Sequence, residues 1–424
     1  MTATELKLSA EKLLEENILR FWISRMTDHE QGGYYGQMTG DGRIVKDAVK
    51  GAILNARLLW TFSAAYRVLG KKEYLEAATR AKEYIMEHFI DPEYGGVYWS
   101  VDYMGNPVDT KKQFYAIGFV IYGMSEYARA TGDREALDYA LQLFDCIEEH
   151  AFDSEHNGYI EACTREWGEI ADMRLSAKDE NYPKSQNTHL HIIEPYTNLL
   201  RCLKELQAKE SCNYVPAIGS VLPIGISVPM ETVLCVEGAL RNIIDIFTDK
   251  ILNPETNHLD LFFDMDWRRM SRDESYGHDI ECSWLLHEAA LVLGDNDVLR
   301  RVEPVVLQVA KASEKGLNND GSMCYEWKVD GGMDTARHWW VQAENVVGWL
   351  NIYQHFGDAE ALRRARHCYK YILDNLVDND GGEWFWSCAP DGTPNRRDDK
   401  AGFWKCPYHN GRMCLEIIER YETL

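Results

Sequence analysis

The chain has 424 residues, 45% hydrophobic and 12% aromatic, enough to bury a substantial core without disulfide staples. Its 68 acidic against 45 basic residues leave a formal charge of −23, which repels nucleic acid, anionic membranes and strongly anionic substrates and favours a neutral ligand. Eleven cysteines, scattered singly (Cys146, Cys163, Cys202, Cys282 and Cys368 among them) with no CxxC pair, indicate neither a disulfide framework nor a zinc ribbon and point to a reducing compartment.

The first segment, MTATELKLSAEKLLEENILRFW, reads as a charged amphipathic helix without the basic stretch and apolar core of a secretion signal, so a cytoplasmic location is expected. No run approaches the roughly 20 uninterrupted apolar residues of a membrane span. A turn-like element then recurs: EQGGYYG with Gly33, PEYGGVYW with Gly96, EHNGYIE with Gly158, NNDGSMCYEW with Gly321 and NDGGEWFW with Gly382. NPETNHLDLFFD occupies the same slot at Leu259 without the glycine. The intervals are 63, 62, 101, 62 and 61 residues, which makes six units.

A period near 62 accommodates two helices and their connections, and Asn/Asp-Gly followed by alternating aromatics signals a short hairpin. Stretches such as LEAATRAKEYIMEHF and EALDYALQLFDCIEEH carry apolar residues at three-to-four spacing, as a helix burying one face does. The fold expected is all-α: six helical hairpins with short β-hairpin turns, closed into an (α/α)6 barrel that forms a single domain over 1–424. Closure is favoured over an open solenoid because six inner helices enclose a ligand-sized centre and neither end has a polar capping repeat. The long interval has an excess of about 39 residues around Ser211 to Val236. Its prolines, glycines and β-branched residues argue against a helix over most of it and suggest an ordered loop or a partner-contacting insertion, which leaves self-association open.

Counted from the turn, Tyr115, His278 and Trp340 each fall 19 residues on, in three different units. In the units with longer connections, Arg57, His191 and His409 precede the corresponding apolar helix. Helix starts of a closed barrel point at one centre, so these six side chains are expected to converge on a pocket. His191 is followed at i+3 by Glu194, His278 by Glu281 and His409 by Arg412, so each ring gains a charged neighbour on its own helix face. Imidazoles with pKa values near 6.5 would let one ring act as base and another, protonated, as acid. His29, His88, His156 and His367 read as solvated. The tryptophans Trp339, Trp340, Trp384, Trp386 and Trp404 read as packing, with Trp340 and Trp404 also suited to stack against a neutral sugar. Two rival readings remain at this point. His191, Glu194, His278 and Glu281 could surround a metal ion, although no HExxH or cysteine-ligand spacing is present. Glu281 with Glu344 or Asp279 could serve a glycosidase, which leaves the histidines without a role. No phosphate-binding glycine loop predicts a nucleotide cofactor.

The GGVYW turn and the stretches DTKKQFYAIGF, NTHLHIIEPYT, SYGHDIECSWLL, RHWWVQAENVVG and FWKCPYHNGRMC resemble the N-acylglucosamine 2-epimerase superfamily, most closely its cellobiose 2-epimerase branch, which includes mannobiose 2-epimerases. The resemblance runs nearly the whole chain, with 211–236 a departure from the pattern. It implies an (α/α)6 barrel and reversible inversion at C2 of the reducing-end sugar of a β-1,4-linked disaccharide, through ring opening and an enediolate. By similarity, His278 and His409 exchange the C2 proton, His191 opens and closes the ring, and Arg57 stabilises the enediolate oxygens. Tyr115, Asn187 and Glu281 match residues that hold hydroxyls or orient a histidine, and Trp340 and Trp404 match stacking platforms; Trp339 and Glu344 complete the expected substrate-contacting set. No metal or organic cofactor is implied, because the aldehyde is the electron sink. A monosaccharide or N-acylglucosamine substrate, a hydrolase of the same barrel type and a sugar-binding protein without turnover remain alternatives.

Overall fold

The computed structural model describes residues 1–211 and 228–423. In chain order its helices are α1 (Ala3–Lys12, prolonged by wider turns over Leu13–Leu19 and Trp22–Met26), α2 (Ala52–Leu69), α3 (Lys72–His88), α4 (Phe114–Thr131), α5 (Arg134–His150), α6 (Gln186–Ser211), α7 (Met230–Ile246), α8 (Tyr276–Leu293), α9 (Asn296–Ser313), α10 (Trp339–Phe356), α11 (Ala359–Tyr371) and α12 (Tyr408–Arg420). The even-numbered helices form an inner ring, each packed on the next, and α12 closes it against α2. The odd-numbered helices form the outer layer, with α3 on α2, α5 on α4, α7 on α6, α9 on α8, α11 on α10 and α1 on α12. The expected (α/α)6 barrel is the observed fold, and its last hairpin joins the two ends of the chain.

The two layers differ as their sequences require. α3 and α5 bury one stripe, whereas α2 and α4 are buried almost all round for most of their length, as helices enclosed by neighbours must be. Four inner helices, α2, α4, α8 and α10, end on a left-handed glycine (Gly70, Gly132, Gly294, Gly357). In three of these the next residue, Asp133, Asp295 or Asp358, caps the following outer helix. The inner-to-outer connections after these four helices are therefore short, that after α6 being the long exception, and the outer-to-inner connections lie at the end of the barrel where the inner helices begin.

The recurring turn follows each outer helix. It closes with one bridge, such as Ile90↔Val97 or Phe152↔Tyr159. The hydrogen bonds Asp28 N–H to Gly33, Asp91 to Gly96, Asp153 to Gly158, Asn253 to His258, Asn318 to Ser322 and Asp378 to Glu383 fix the structural register. The true equivalents of Gly33 are thus His258, Ser322 and Glu383 in the last three units, one residue away from Leu259, Gly321 and Gly382. The turn needs left-handed backbone at one or two adjacent positions, and which of the two carries glycine varies.

The hairpins are smaller than expected, and most strand pairing runs between units. Lys50–Gly51, just before α2, pairs antiparallel with Ser100–Val101, and Lys112–Gln113, before α4, pairs with Ala162–Cys163. The same pattern precedes α6, α8 and α10. The starts of these five inner helices are thereby pinned by the next unit. A buried ion pair adds to this: the turn aspartate meets the lysine before the inner helix in Asp28–Lys50 (2.9 Å), Asp91–Lys112 (2.8 Å), Asp153–Lys184 (2.7 Å) and Asp378–Lys400. Where the turn residue is the neutral Asn253 or Asn318, the lysine is replaced by Glu274 or Arg337.

Of the stretch 211–236, residues 212–227 lie outside the described residues, and Met230–Val236 forms the first turns of α7. That end of the segment is helical because its apolar residues Val233, Val236, Leu240 and Ile243 fall on one buried face. The ten cysteines among the described residues are free, and no helix there is long and apolar enough to cross a membrane.

Candidate active site

The pocket is built from two rings of side chains one helical turn apart. The second residue of α4, α6, α10 and α12 is Tyr115, Asn187, Trp340 and His409, and the third of α8 is His278. The sixth residue of α2, α4, α6, α8 and α10 is Arg57, Phe119, His191, Glu281 and Glu344. Arg57 and His191 thus sit one turn inside their helices and not at the starts.

The six side chains expected to converge do so. Arg57 donates to the Tyr115 hydroxyl at 2.9 Å, and the Tyr115 ring lies 4.8 Å from His191. Trp340 stands between His278 (4.9 Å) and His409 (5.6 Å). Phe119 joins the halves, 5.0 Å from His191 and 5.3 Å from Tyr408, which in turn is 4.6 Å from His409. At the mouth, half-buried Trp404 clusters with Trp99, Phe403 and Tyr115. Trp339 is buried behind the pocket, 4.8 Å from Trp386 and 6.4 Å from His409. Of the residues read as solvated, only His29 is exposed; His88, His156 and His367 are half-buried.

α4 and α6 approach closely at His191. Pro195, four residues on, has no N–H for the His191 carbonyl. A Cβ at Gly118 would stand 2.5 Å from that carbonyl oxygen. Glycine on α4 is therefore what lets the helices meet there.

The floor is an ionic cluster on Arg412, which is fully buried. Its guanidinium donates to Glu281 at 2.9 Å, to Glu344 at 2.7 Å, and to Glu194 and the Tyr408 hydroxyl. Two of these carboxyl groups orient histidines: Glu194 meets His191 Nδ1 at 3.0 Å and Glu344 meets His409 Nδ1 at 2.7 Å. Only the first of the three expected i, i+3 pairs forms as drawn. His409 takes its partner from α10, while Arg412 holds that partner in place. Glu281 points down into the cluster, and His278 instead turns its Nδ1 to Ser275 Oγ at 2.7 Å, because a side chain in the first turn leans toward the helix N-terminus. The part sequence reasoning missed is Arg412 as the common donor. Its signal was its fixed place three residues after His409.

Electrostatics depart from the expected pair of rings near 6.5. Burial pushes all three histidines down. His278 falls to about 3, with the neighbouring His191 adding to the effect. His409 lies well below the usual range through burial and the nearby Arg57 and Arg412. His191 is lowered by burial against the opposing pull of Glu194. Burial also drives Glu281 well above the carboxylate range, helped by Glu344, whereas at Glu194 burial is overcome by Arg412, His191 and Tyr408 acting together, which hold it low. The site therefore presents neutral imidazoles. Arg57 is 3% exposed, lies over Phe119 (4.2 Å) and Tyr408 (4.8 Å), and has no carboxylate partner among the described residues. A buried cation without a counterion is costly. The site is thus poised to receive negative charge.

Among the described residues, the metal quartet of His191, Glu194, His278 and Glu281 does not come together; the one convergent donor set is Glu281, Glu344 and His409, within 4.8 Å of one another. Arg412 already supplies the positive charge there.

The chain matches the N-acylglucosamine 2-epimerase (GlcNAc 2-epimerase) family over residues 33–195 and 238–411. A cellobiose 2-epimerase of Bacteroides fragilis is 54% identical over 97% of this chain and 98% of its own. The chain belongs to the N-acylglucosamine 2-epimerase family.

Within the family it stands with the cellobiose 2-epimerases, and it is a carbohydrate epimerase, an isomerase. A cellobiose 2-epimerase of Ruminococcus albus is 38% identical over 96% of this chain and 97% of its own. The solved cellobiose 2-epimerase of Bacillus thermoamylovorans B4167 superposes with a TM-score of 0.87 at 40% identity, covering 98% of this chain and 100% of that one. The family match skips 196–237, the interval that contains the long connection between α6 and α7.

Proposed function

We propose that the barrel, as one catalytic domain, reversibly inverts C2 of the reducing-end glucose or mannose of a β-1,4-linked disaccharide, turning cellobiose into glucosyl-mannose or mannobiose into mannosyl-glucose. The observation that carries this reading is Arg57: a buried cation with no carboxylate partner among the described residues, beside neutral histidines, suits a neutral substrate that becomes an oxyanion during reaction. Relatives named cellobiose 2-epimerase favour a disaccharide, as does the second aromatic cluster around Trp404 and Trp99 at the mouth.

His191, oriented by Glu194, assists ring opening to the C1 aldehyde. In the productive complex one ring of the pair His278 and His409 carries a second proton. The neutral ring takes the C2 proton: the C2–H bond breaks, an N–H bond forms, and the electron pair moves through C1 onto O1, giving an enediolate held by Arg57. The other ring then breaks its N–H bond and returns a proton to the opposite face of C2, leaving the extra proton on the first ring. Tyr115 and Asn187 hold hydroxyls, Trp340 and Trp404 supply stacking faces, and Glu281, Glu344 and Trp339 shape the floor. The carbonyl is the electron sink, so no cofactor enters the scheme.

A hydrolase needs two carboxyl groups exposed to a glycosidic bond. Here Glu281 and Glu344 both accept from Arg412. Incubation with cellobiose, mannobiose and N-acetylglucosamine, followed by product analysis, tests the reading. An epimeric disaccharide of unchanged mass is expected; monosaccharides would mean hydrolysis, and no product would mean binding only. His278→Ala or His409→Ala is expected to abolish the conversion, a loss of roughly 10²–10⁴-fold, with the fold intact by circular dichroism.

A further inference from the structure

The three pocket histidines do not share one kind of partner. Carboxyl groups of Glu194 and Glu344 face Nδ1 of His191 and His409, and an ionised carboxylate, which only accepts, sets such rings with the proton on Nδ1. His278 differs. Its Nδ1 lies 2.7 Å from Oγ of Ser275, the N-cap of α8. That hydroxyl also accepts the His278 backbone N–H, at 3.4 Å, and because Ser275 is buried and its own proton has no other acceptor among the described residues, the proton is placed to go to Nδ1. Glu281, on the next turn, is engaged with Arg412. The helix N-terminus also disfavours positive charge on the ring. α6 has the same cap, with Ser185 accepting from the Thr188 N–H at 3.0 Å, but Thr188 donates its hydroxyl to Glu161, and the nearby His189 turns Nδ1 to the Ser185 backbone carbonyl, at 2.6 Å, and not to its hydroxyl.

We infer that Ser275 is a positioning residue for epimerisation: anchored as the cap of α8, its hydroxyl holds the His278 ring and sets it in the Nε2–H form at rest, while His409 presents a bare Nε2. The inference rests on the C2-epimerase reading. A hydroxyl accepts as readily as it donates. When His278 carries both ring protons, Ser275 turns to accept from Nδ1–H; the ring gives its Nε2 proton to C2 without leaving its place and is left as a neutral Nδ1–H ring. The partner of His409 cannot reverse in this way.

The test uses Ser275→Ala and Ser275→Thr in full-length enzyme labelled with ¹⁵N-histidine. Ring ¹⁵N shifts without substrate are expected to give Nε2–H at His278 and Nδ1–H at His191 and His409, with the His278 preference lost in Ser275→Ala and kept in Ser275→Thr. In D2O, Ser275→Ala is expected to lower kcat by about 10–100-fold with KM little changed, as loss of an orienting partner does. For one disaccharide epimer only, the ratio of C2 exchange to inversion should rise, because the ring on the other face is intact; threonine should restore it. An Nδ1–H His278 in the wild type, or wild-type tautomer and exchange ratio in Ser275→Ala, would overturn the inference. A wild type that exchanges no C2 proton would remove the epimerase reading instead, and the ring shifts would still decide whether Ser275 sets the tautomer.

Discussion

At the scale of single residues, Arg57 sets function against stability. Its guanidinium lacks a carboxylate among the described residues although it is buried, so an apolar replacement removes an uncompensated charge while deleting the group that would hold the enediolate. Arg57→Met is expected to lower kcat by roughly 10²–10³-fold and to raise the thermal midpoint. Turnover assays and calorimetry on the same preparation check both, and a variant that is active or less stable contradicts the assignment. The depressed histidines give a pH expectation. A base works in its neutral form, and a lowered pKa keeps that form present to lower pH. With His278 at about 3 and His409 well below its ordinary value, C2 exchange by the free enzyme should persist as pH falls through 6.5. A loss centred at 6.5 would mean an unperturbed base. The identities of these residues were legible from repeat position and motif. The partner of His191, Glu194, was legible as well; that of His409 was not, because Glu344 reaches it from another helix, and that of His278 lies three residues before it at the helix cap and not three residues after.

At the scale of elements, the repeat was readable because turn chemistry demands left-handed backbone at each outer-to-inner connection. The one-residue slip at Gly321 and Gly382 arose because glycine marks either of two adjacent turn positions, and that at Leu259 because the left-handed residue of its turn is Asn257 and no glycine marks the register. The alternation of charge between turn and strand was equally present in the sequence. Asp28, Asp91, Asp153 and Asp378 go with Lys50, Lys112, Lys184 and Lys400, and Asn253 and Asn318 do not go with lysine. Only the folded chain gives that pattern its meaning as a buried tie. Lys50→Met would strand Asp28, whose side chain is 1% exposed, at an expected cost of about 3–5 kcal/mol in urea unfolding. Adding Asp28→Asn, which copies the neutral turn of the fourth unit, should recover much of that loss. An additive double variant would show that the pair does not act as a unit.

At the scale of the whole molecule, closure of the ring is what makes the chemistry possible. α12 brings His409, Arg412 and Tyr408 against α2, and α1 backs it from the other end of the chain, so residues more than 300 positions apart, such as Arg57 and His409, share one pocket. Six units argued for closure in the sequence, but the joining of the termini in the last hairpin required the packing itself. The central claim is that this pocket moves a proton from one face of C2 to the other. The most direct measurement is NMR of the C2 position during incubation with cellobiose or mannobiose in D2O without added cofactor. The account predicts deuterium at C2 of a newly formed epimeric disaccharide; an epimer that forms with its C2 proton retained in full, or disaccharide that neither exchanges nor inverts, would contradict it.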